Sequence, residues 1–167
     1  AVIEHGEPII YPASTSELHY EGELAVIIKT RARHVTAADA PLFILGYACA
    51  NDVTARDLQR LDGQWTRAKS FDTFCPLGPR IVKDIDPGHL DITTRVNGVV
   101  KQHSNTSNLI FDVPALLSYI SSVMTLLPGD VIITGTPHGV GPLQAGDEVE
   151  VEIEGIGILK NRIEKEK

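Results

Sequence analysis

The hydrophobic residues of this chain fall into short runs separated by glycine, proline and polar turns, a pattern typical of β-strands. The two longest runs, within 18–28 (LHYEGELAVII) and 42–50 (LFILGYACA), predict buried strands. Alternation over 91–96, an Asn97-Gly98 turn and a return over 99–103 predict a β-hairpin. Further strands are predicted at 131–134, 148–154 and 157–163.

Strong helical periodicity occurs in one segment. Asp112-Val113-Pro114 supplies a cap and a first turn, and apolar residues at helical spacing follow as far as Val123. Shorter helices are predicted over 36–40 and over 53–61, the second capped by Thr54, with Arg56 and Gln59 on one face. The pattern as a whole predicts an α+β fold that is predominantly β, in a single domain over 1–167.

Composition excludes several classes of partner. Hydrophobic residues at 43% and charged residues at 22% are ordinary for a globular domain. A net charge of −7 without a Lys/Arg cluster argues against nucleic acid or an anionic membrane as a partner. No apolar run reaches the roughly 18 residues of a membrane span, and Cys49 and Cys75 lie in apolar settings that suit free thiols. We therefore expect a cytoplasmic protein.

Two acidic residues interrupt the first buried run. In a strand, Glu21 and Glu23 would project from the same face about 7 Å apart. Burying two ionised carboxylates costs several kcal/mol unless a positive charge compensates them, and no Lys or Arg lies within five residues of the pair. A divalent cation would compensate them directly. The alternative is that both residues lie on the solvated side of an amphipathic strand.

A third acidic residue favours the metal hypothesis. Asp52 follows the second buried run and would meet the glutamates if the two strands are neighbours. Three carboxylates without His or Cys favour Mg²⁺, Mn²⁺ or Ca²⁺ over Zn²⁺. Three protein ligands leave coordination positions open for water and substrate, which favours catalysis over a structural role.

Cations and a glycine-rich loop complete the set of candidate residues. Lys69 and Arg56 are the basic residues most plausibly directed at the acidic cluster, and they suit an anionic substrate. Their alternative interpretation is ordinary surface charge on a helix and a loop. The loop 135–141 (GTPHGVG) follows a predicted strand, so backbone N–H groups near Gly135 and Thr136 could approach a ligand.

These segments resemble the fumarylacetoacetate hydrolase family over essentially the whole chain and in the same order. The matching motifs are His19-Tyr20-Glu21-Gly22-Glu23-Leu24, Gly46-Tyr47, Asn51-Asp52-Val53-Thr54-Ala55-Arg56-Asp57, Ala68-Lys69-Ser70-Phe71-Asp72 and Gly135-Thr136-Pro137 with Gly139. The chain looks nearest to the branch of acylpyruvases, oxaloacetate decarboxylases and 2-hydroxyhepta-2,4-diene-1,7-dioate isomerases.

The resemblance implies a fold, a cofactor and a set of site residues. The fold would be a mixed β-sheet roll that forms a homodimer. Mg²⁺ or Mn²⁺ would be held by Glu21, Glu23 and Asp52, with Ca²⁺ possible in a crystal, and a 2-oxo acid would chelate it. The substrate would be surrounded by Arg56, Gln59, Lys69, Gly135 and Thr136, with Lys69 and Arg56 as the catalytic cations.

The implied reaction passes through a metal-stabilised enolate and breaks a C–C bond by hydrolysis or decarboxylation of an acylpyruvate or oxaloacetate. Hydrolytic members carry their general base on an N-terminal lid, which we expect to lie upstream of Ala1 and outside this chain. Solvent-facing positions are expected for the six histidines, with His138 the one nearest the site.

Two alternatives remain open. One is an isomerase of 2-hydroxyhepta-2,4-diene-1,7-dioate in aromatic catabolism, for which Arg60 and Arg67 are candidates to bind the distal carboxylate. The other is a non-catalytic calcium-binding β module.

Overall fold

A computed structural model describes residues 1–166 of the chain. Strands dominate these residues, and the short helices lie between them. The strands are β1 (Val2–Ile3), β2 (Ile9–Tyr11), β3 (Leu18–Tyr20), β4 (Gly22–Ile28), β5 (Ile44–Asn51), β6 (Thr54–Ala55), β7 (Cys75–Val82), β8 (Asp91–Val96), β9 (Val99–Asn105), β10 (Val131–Ile133), β11 (Gly141–Pro142), β12 (Glu148–Ile153) and β13 (Gly157–Lys165). The helices are α1 (Arg56–Asp62), α2 (Thr66–Lys69) and α3 (Val113–Val123), with 3-10 turns at Ala40–Phe43 and Thr106–Asn108.

The strands form three sheets. The first has the order β1-β7-β5-β4-β10, the second β11-β3-β6, and the third β2-β13-β12-β8-β9. Parallel pairing occurs between β1 and β7 and between β2 and β13, whereas the other pairs are antiparallel. The fold is therefore the predominantly β, mixed-sheet arrangement that the sequence predicts.

The main core lies between the first and third sheets. Leu24, Val26 and Ile28 of β4 pack there with residues of β5, β8, β12 and β13, because alternate side chains of a strand share a face. The opposite face of β4 carries Ala25 and Ile27, packed with alanines of β5. All seven residues of β4 are buried, so the predicted buried strand is confirmed.

Gly22 is required by a close approach between two sheets. A Cβ at this position would lie 2.1 Å from Oγ1 of Thr94 on β8. Any larger residue would force β4 and β8 apart. Gly22 also lies between Glu21 and Glu23 in the sequence, so the close approach of the two sheets occurs next to both glutamates.

The hairpin and the long helix follow their predictions. β8 and β9 pair through a turn in which Asn97 has a φ of 51° and Gly98 a φ of 77°, as a two-residue type I′ turn requires. The side chain of Asp112 accepts a hydrogen bond from the backbone N–H of Ala115 at 2.8 Å and caps α3. α3 has 11 residues, and no helix within 1–166 has the length and apolar character needed to cross a bilayer.

Three local predictions are wrong. Residues 36–39 form a turn that leads into the 3-10 segment Ala40–Phe43, so the helix predicted over 36–40 is absent and β5 begins only at Ile44. Thr54 lies in β6 and does not cap α1, which begins at Arg56. Its hydroxyl instead donates to the backbone carbonyl of Asp52 at 2.8 Å, a local alternative open to threonine. Lys69, assigned to a loop, ends the short helix α2.

Asp57 fastens the start of α1 to the loop that precedes β3. Its carboxylate accepts hydrogen bonds from the backbone N–H of Ser16 at 2.9 Å, the Ser16 hydroxyl at 3.1 Å and the Thr15 hydroxyl. Burial raises its pKa, but these hydrogen bonds and that from the Leu58 N–H outweigh the burial and lower the pKa from 3.8 to about 2. Asp57 therefore stabilises the orientation of the helix that carries Arg56.

We expect the substitution Asp57→Asn to lower the free energy of unfolding at neutral pH by about 1–2 kcal/mol, because it removes hydrogen bonds to a charged acceptor. The pKa of Asp57 is lower in the folded chain, so its stabilisation is present above about pH 4 and is lost as the pH falls towards 2. Urea denaturation at several pH values measures the difference. Asp72→Asn is the control, since the exposed Asp72 carboxylate has no hydrogen-bond partner within the described part of the chain. An equal loss at pH 2 and pH 7 would contradict this role.

Candidate metal centre and substrate cleft

The antiparallel pairing of β4 with β5 brings the acidic residues together. Gly22 pairs with Asn51 and Glu23 with Ala50. Beyond this register, the backbone N–H of Asp52 donates to the carbonyl of Glu21 at 2.9 Å. The expectation that the two buried strands are neighbours is confirmed, and it places Asp52 beside the glutamates.

The three carboxylates form a compact and buried cluster. Glu21, Glu23 and Asp52 each offer an oxygen, and these oxygens lie within 4.8 Å of one another. The residues are only 7%, 3% and 9% exposed. Hard anionic oxygens at this separation, with no sulfur or nitrogen ligand among them, fit Mg²⁺ or Mn²⁺.

The pKa values of Glu23 and Asp52 reflect burial, to which repulsion from the neighbouring carboxylates adds. Burial raises the pKa of Glu23 to about 8. The hydrogen bond from the Gly135 N–H, at 2.6 Å, acts in the opposite direction, but repulsion from Asp52 and Glu21 adds to the increase. Burial also raises the pKa of Asp52, although the hydrogen bond from Lys69 opposes this. A cation bound between these groups would favour their ionised forms.

Two basic side chains contact the cluster. Arg56 donates to Oε1 of Glu21. Lys69 Nζ donates to Oδ2 of Asp52, to Oε2 of Glu21 at 3.1 Å and to the Thr54 hydroxyl at 3.0 Å. Burial lowers the pKa of Lys69, but Asp52 and Glu21 outweigh it and the net pKa is raised. The ammonium is therefore charged at neutral pH.

Neighbouring side chains hold Arg56 in place. It donates to Oε1 of Gln59 at 2.7 Å and to Nδ1 of His19 at 3.4 Å. Arg56 and Gln59 thus share a face of α1, as the sequence predicts. The solvent-facing position expected for His19 is wrong, because its side chain is only 13% exposed and lies between Glu17 and Arg56.

The glycine-rich loop reaches the cluster from β10. Besides the hydrogen bond of Gly135 to Glu23, the Thr136 hydroxyl donates to the carbonyl of Gly22 at 2.9 Å and accepts from Gln102 Nε2 at 2.8 Å. Gln102 is 1% exposed and also accepts from the Gly22 N–H at 3.1 Å. This buried amide therefore links the loop to the beginning of β4.

All eight predicted site residues line one cleft of about 510 Å³. Sequence reasoning missed two further lining residues, Trp65 and Ile133. Trp65 precedes Lys69 by four residues, about one helical turn, and this spacing could have indicated it. Ile133 is the last residue of β10, one position before the loop turns inward.

Other candidates lie elsewhere. His138 does not line the cleft but lines an adjoining cavity that shares Gly135 and Thr136 with it. Arg60 pairs with Glu17 and Arg67 with Asp62, and neither arginine lines the cleft. The structure therefore does not place these two cations where a distal carboxylate would need them.

Comparison with known proteins agrees with the resemblance seen in the sequence. The family model described as the fumarylacetoacetate (FAA) hydrolase C-terminal domain matches residues 1–164. An uncharacterised protein of Methanocaldococcus jannaschii is 58% identical over 166 residues, covering 99% of this chain and 70% of the relative. The rat (Rattus norvegicus) protein named oxaloacetate tautomerase Fahd2a, mitochondrial, is 44% identical over 168 residues, covering 94% of this chain and 54% of the relative.

Solved structures are also similar. A structure named 5-carboxymethyl-2-hydroxymuconate delta-isomerase, from Mycobacterium smegmatis, is 54% identical with a TM-score of 0.99, covering 100% of this chain and 66% of that one. Maleylpyruvate hydrolase from Sphingobium sp. SYK-6, in complex with manganese(II) ion and pyruvate, is 38% identical with a TM-score of 0.91. The match covers 100% of this chain and 62% of that one.

The chain spans 54% to 70% of the length of these four relatives. Matched along nearly all of its own length by the family model and by these relatives, it belongs to the fumarylacetoacetate hydrolase family.

Proposed function

We propose that the protein is an enzyme that depends on Mg²⁺ or Mn²⁺ and acts on small anionic 2-oxo acids. The observation that carries the proposal is the convergence of three buried carboxylates and two basic side chains in one cleft. A relative whose structure contains manganese(II) and pyruvate supports the same chemistry, because pyruvate is a 2-oxo acid. An apolar ligand would not suit this lining.

The residues of the cleft have distinct roles in this proposal. Glu21, Glu23 and Asp52 would hold the divalent cation, which when bound supplies Lewis-acid stabilisation of negative charge developing on the 2-oxo oxygen. Lys69 and Arg56 would bind the substrate carboxylate and hold it in place. Gln59, Gly135 and Thr136 would orient the substrate, and Trp65 would shield one side of the cleft from water.

Proton transfer next to the ketone is the reaction that we favour. Relatives named as a tautomerase and as an isomerase, at 44% and 54% identity to this chain, support this choice. Hydrolysis or decarboxylation of acylpyruvates or oxaloacetate is the second candidate, since it requires the same stabilised charge.

A substrate panel with Mg²⁺ or Mn²⁺ tests the reaction class. Oxaloacetate reports tautomerisation through loss of its enol absorbance and decarboxylation through pyruvate formation, acetylpyruvate reports hydrolysis, and a hydroxymuconate-type diacid reports isomerisation. We expect turnover of at least one, abolished by EDTA. Oxalate separates the enzyme from a calcium-binding module, because it mimics a 2-oxo acid enolate and should bind only with Mg²⁺ or Mn²⁺ present. Metal-independent turnover, or no oxalate binding, would contradict the proposal.

We expect Asp52→Ala to reduce metal-dependent turnover by at least about 100-fold, because ligand loss weakens metal binding and misplaces the substrate. Stability should be retained, since the substitution relieves repulsion within the carboxylate cluster. Calorimetric titration with Mn²⁺ and thermal unfolding measure the two effects. Asp62→Ala is the control, because Asp62 is exposed, pairs with Arg67 and lies outside the cleft. A folded Asp52→Ala variant that binds Mn²⁺ as tightly as the wild type would exclude this role for Asp52.

We also propose that the protein forms a homodimer through an apolar surface around α3. Tyr119 and Val123 lie four residues apart on α3 and are 71% and 60% exposed, so they share one face of the helix. Ile110 and Phe111, just before the helix, are 91% and 65% exposed, and they line one cavity together with Leu116. Large apolar residues concentrated on one surface are typical of association between subunits.

The substitution Tyr119→Glu should shift the protein from dimer to monomer, because it places a charge within this apolar surface. Light scattering coupled to size-exclusion chromatography measures the mass. Val99→Glu is the matched control, since Val99 is 57% exposed and lies on the β8–β9 hairpin rather than on α3. A wild-type monomer, or a dimer unaffected by Tyr119→Glu, would count against the surface.

A further inference from the structure

Lys69 contacts the same carboxylates that would hold a metal ion. Its Nζ lies 3.1 Å from Oε2 of Glu21 and also donates to Oδ2 of Asp52. The Lys69 side chain is 19% exposed. An ammonium at this position and a divalent cation among the same three carboxylates would repel each other strongly, because little water separates them.

The two basic side chains of the cleft differ in how firmly they are held. Arg56 contacts only Oε1 of Glu21 within the cluster, and Gln59 and His19 hold it from the other side. The Lys69 ammonium bridges two carboxylates, and its one other hydrogen bond among the described residues is to the Thr54 hydroxyl, at 3.0 Å. Lys69 is therefore the cation that a metal ion would displace.

We infer that Lys69 is an internal counter-ion that leaves Glu21 and Asp52 when a divalent cation binds, and that this displacement presents its ammonium to the substrate anion. The inference rests on the proposed metal site and adds an order of binding. Without the divalent cation, Glu21 and Asp52 bind the Lys69 ammonium, which is then not available to bind the substrate carboxylate. With it, the ammonium is free, so metal binding precedes and promotes substrate binding.

Trp65 provides a position for the displaced ammonium and a signal for its movement. Its ring centroid lies 6.0 Å from Lys69 Nζ, and the residue is 59% exposed on the lining of the cleft. A lysine ammonium is attracted to the face of a tryptophan ring at about this distance. Trp65 is the single tryptophan of the chain, so its fluorescence reports this region alone.

Calorimetric titration with Mg²⁺ and with Mn²⁺, in the absence of substrate, tests the competition. We expect Lys69→Met to bind each metal at least about tenfold more tightly than the wild type, because repulsion between a single and a double charge about 6 Å apart is worth roughly this factor even in water. Lys69→Arg keeps the positive charge and should show no such increase. Arg67→Met removes the same charge from the same helix, but Arg67 pairs with Asp62 outside the cleft, so its metal affinity should equal that of the wild type.

A second measurement uses the unaltered protein. Addition of Mg²⁺ alone should change the Trp65 emission of the wild type and of Arg67→Met, and should leave that of Lys69→Met unchanged. Equal or weaker metal binding by Lys69→Met would overturn the inference. Metal binding to the wild type without a change in Trp65 emission would overturn it as well. In both cases metal binding itself survives, whereas failure of every variant to bind Mg²⁺ or Mn²⁺ would overturn the proposed metal site together with the inference.

Discussion

Mutual repulsion among three buried carboxylates is the constraint on which the site depends. Glu21, Glu23 and Asp52 are each less than a tenth exposed, and burial raises the pKa of both Glu23 and Asp52. Such a cluster is stable only with nearby positive charge or hydrogen-bond donors. Arg56, Lys69 and the Gly135 N–H supply these within the chain, so two basic side chains and one backbone donor face three carboxyl groups.

Paired strands position the acidic residues, whereas short helices outside the sheets position the basic ones. The register of β4 against β5 places Asp52 next to Glu21, and the absence of a side chain at Gly22 allows β4 to lie against β8. Arg56 and Lys69 belong instead to short helices between β6 and β7. Gln102, buried on β9, links Thr136 of the glycine-rich loop to Gly22.

The features that could be predicted from sequence are those with a local physical cause. Hydrophobic run length indicated β4 and β5, and the Asn97-Gly98 pair indicated its hairpin because few dipeptides adopt two left-handed conformations. Charge indicated Lys69 and Arg56 as partners of the acidic cluster, and the resemblance to a family added Gln59 to the substrate site. Local rules failed where tertiary contacts decided the outcome. The Thr54 hydroxyl bonds to the Asp52 carbonyl rather than capping α1, and His19 is packed between Glu17 and Arg56, neither of which follows from neighbouring residues.

The division between sheet and helices has an evolutionary consequence. Replacement of an acidic residue would remove a proposed metal ligand. Residues 56–69, which carry Arg56, Gln59, Trp65 and Lys69, form two short helices that contribute little to the main core. In the proposed function, substitutions there would change the groups around the substrate and leave the three acidic residues in place. One fourteen-residue segment, about a twelfth of the 167-residue chain, thus carries four of the ten residues that line the cleft.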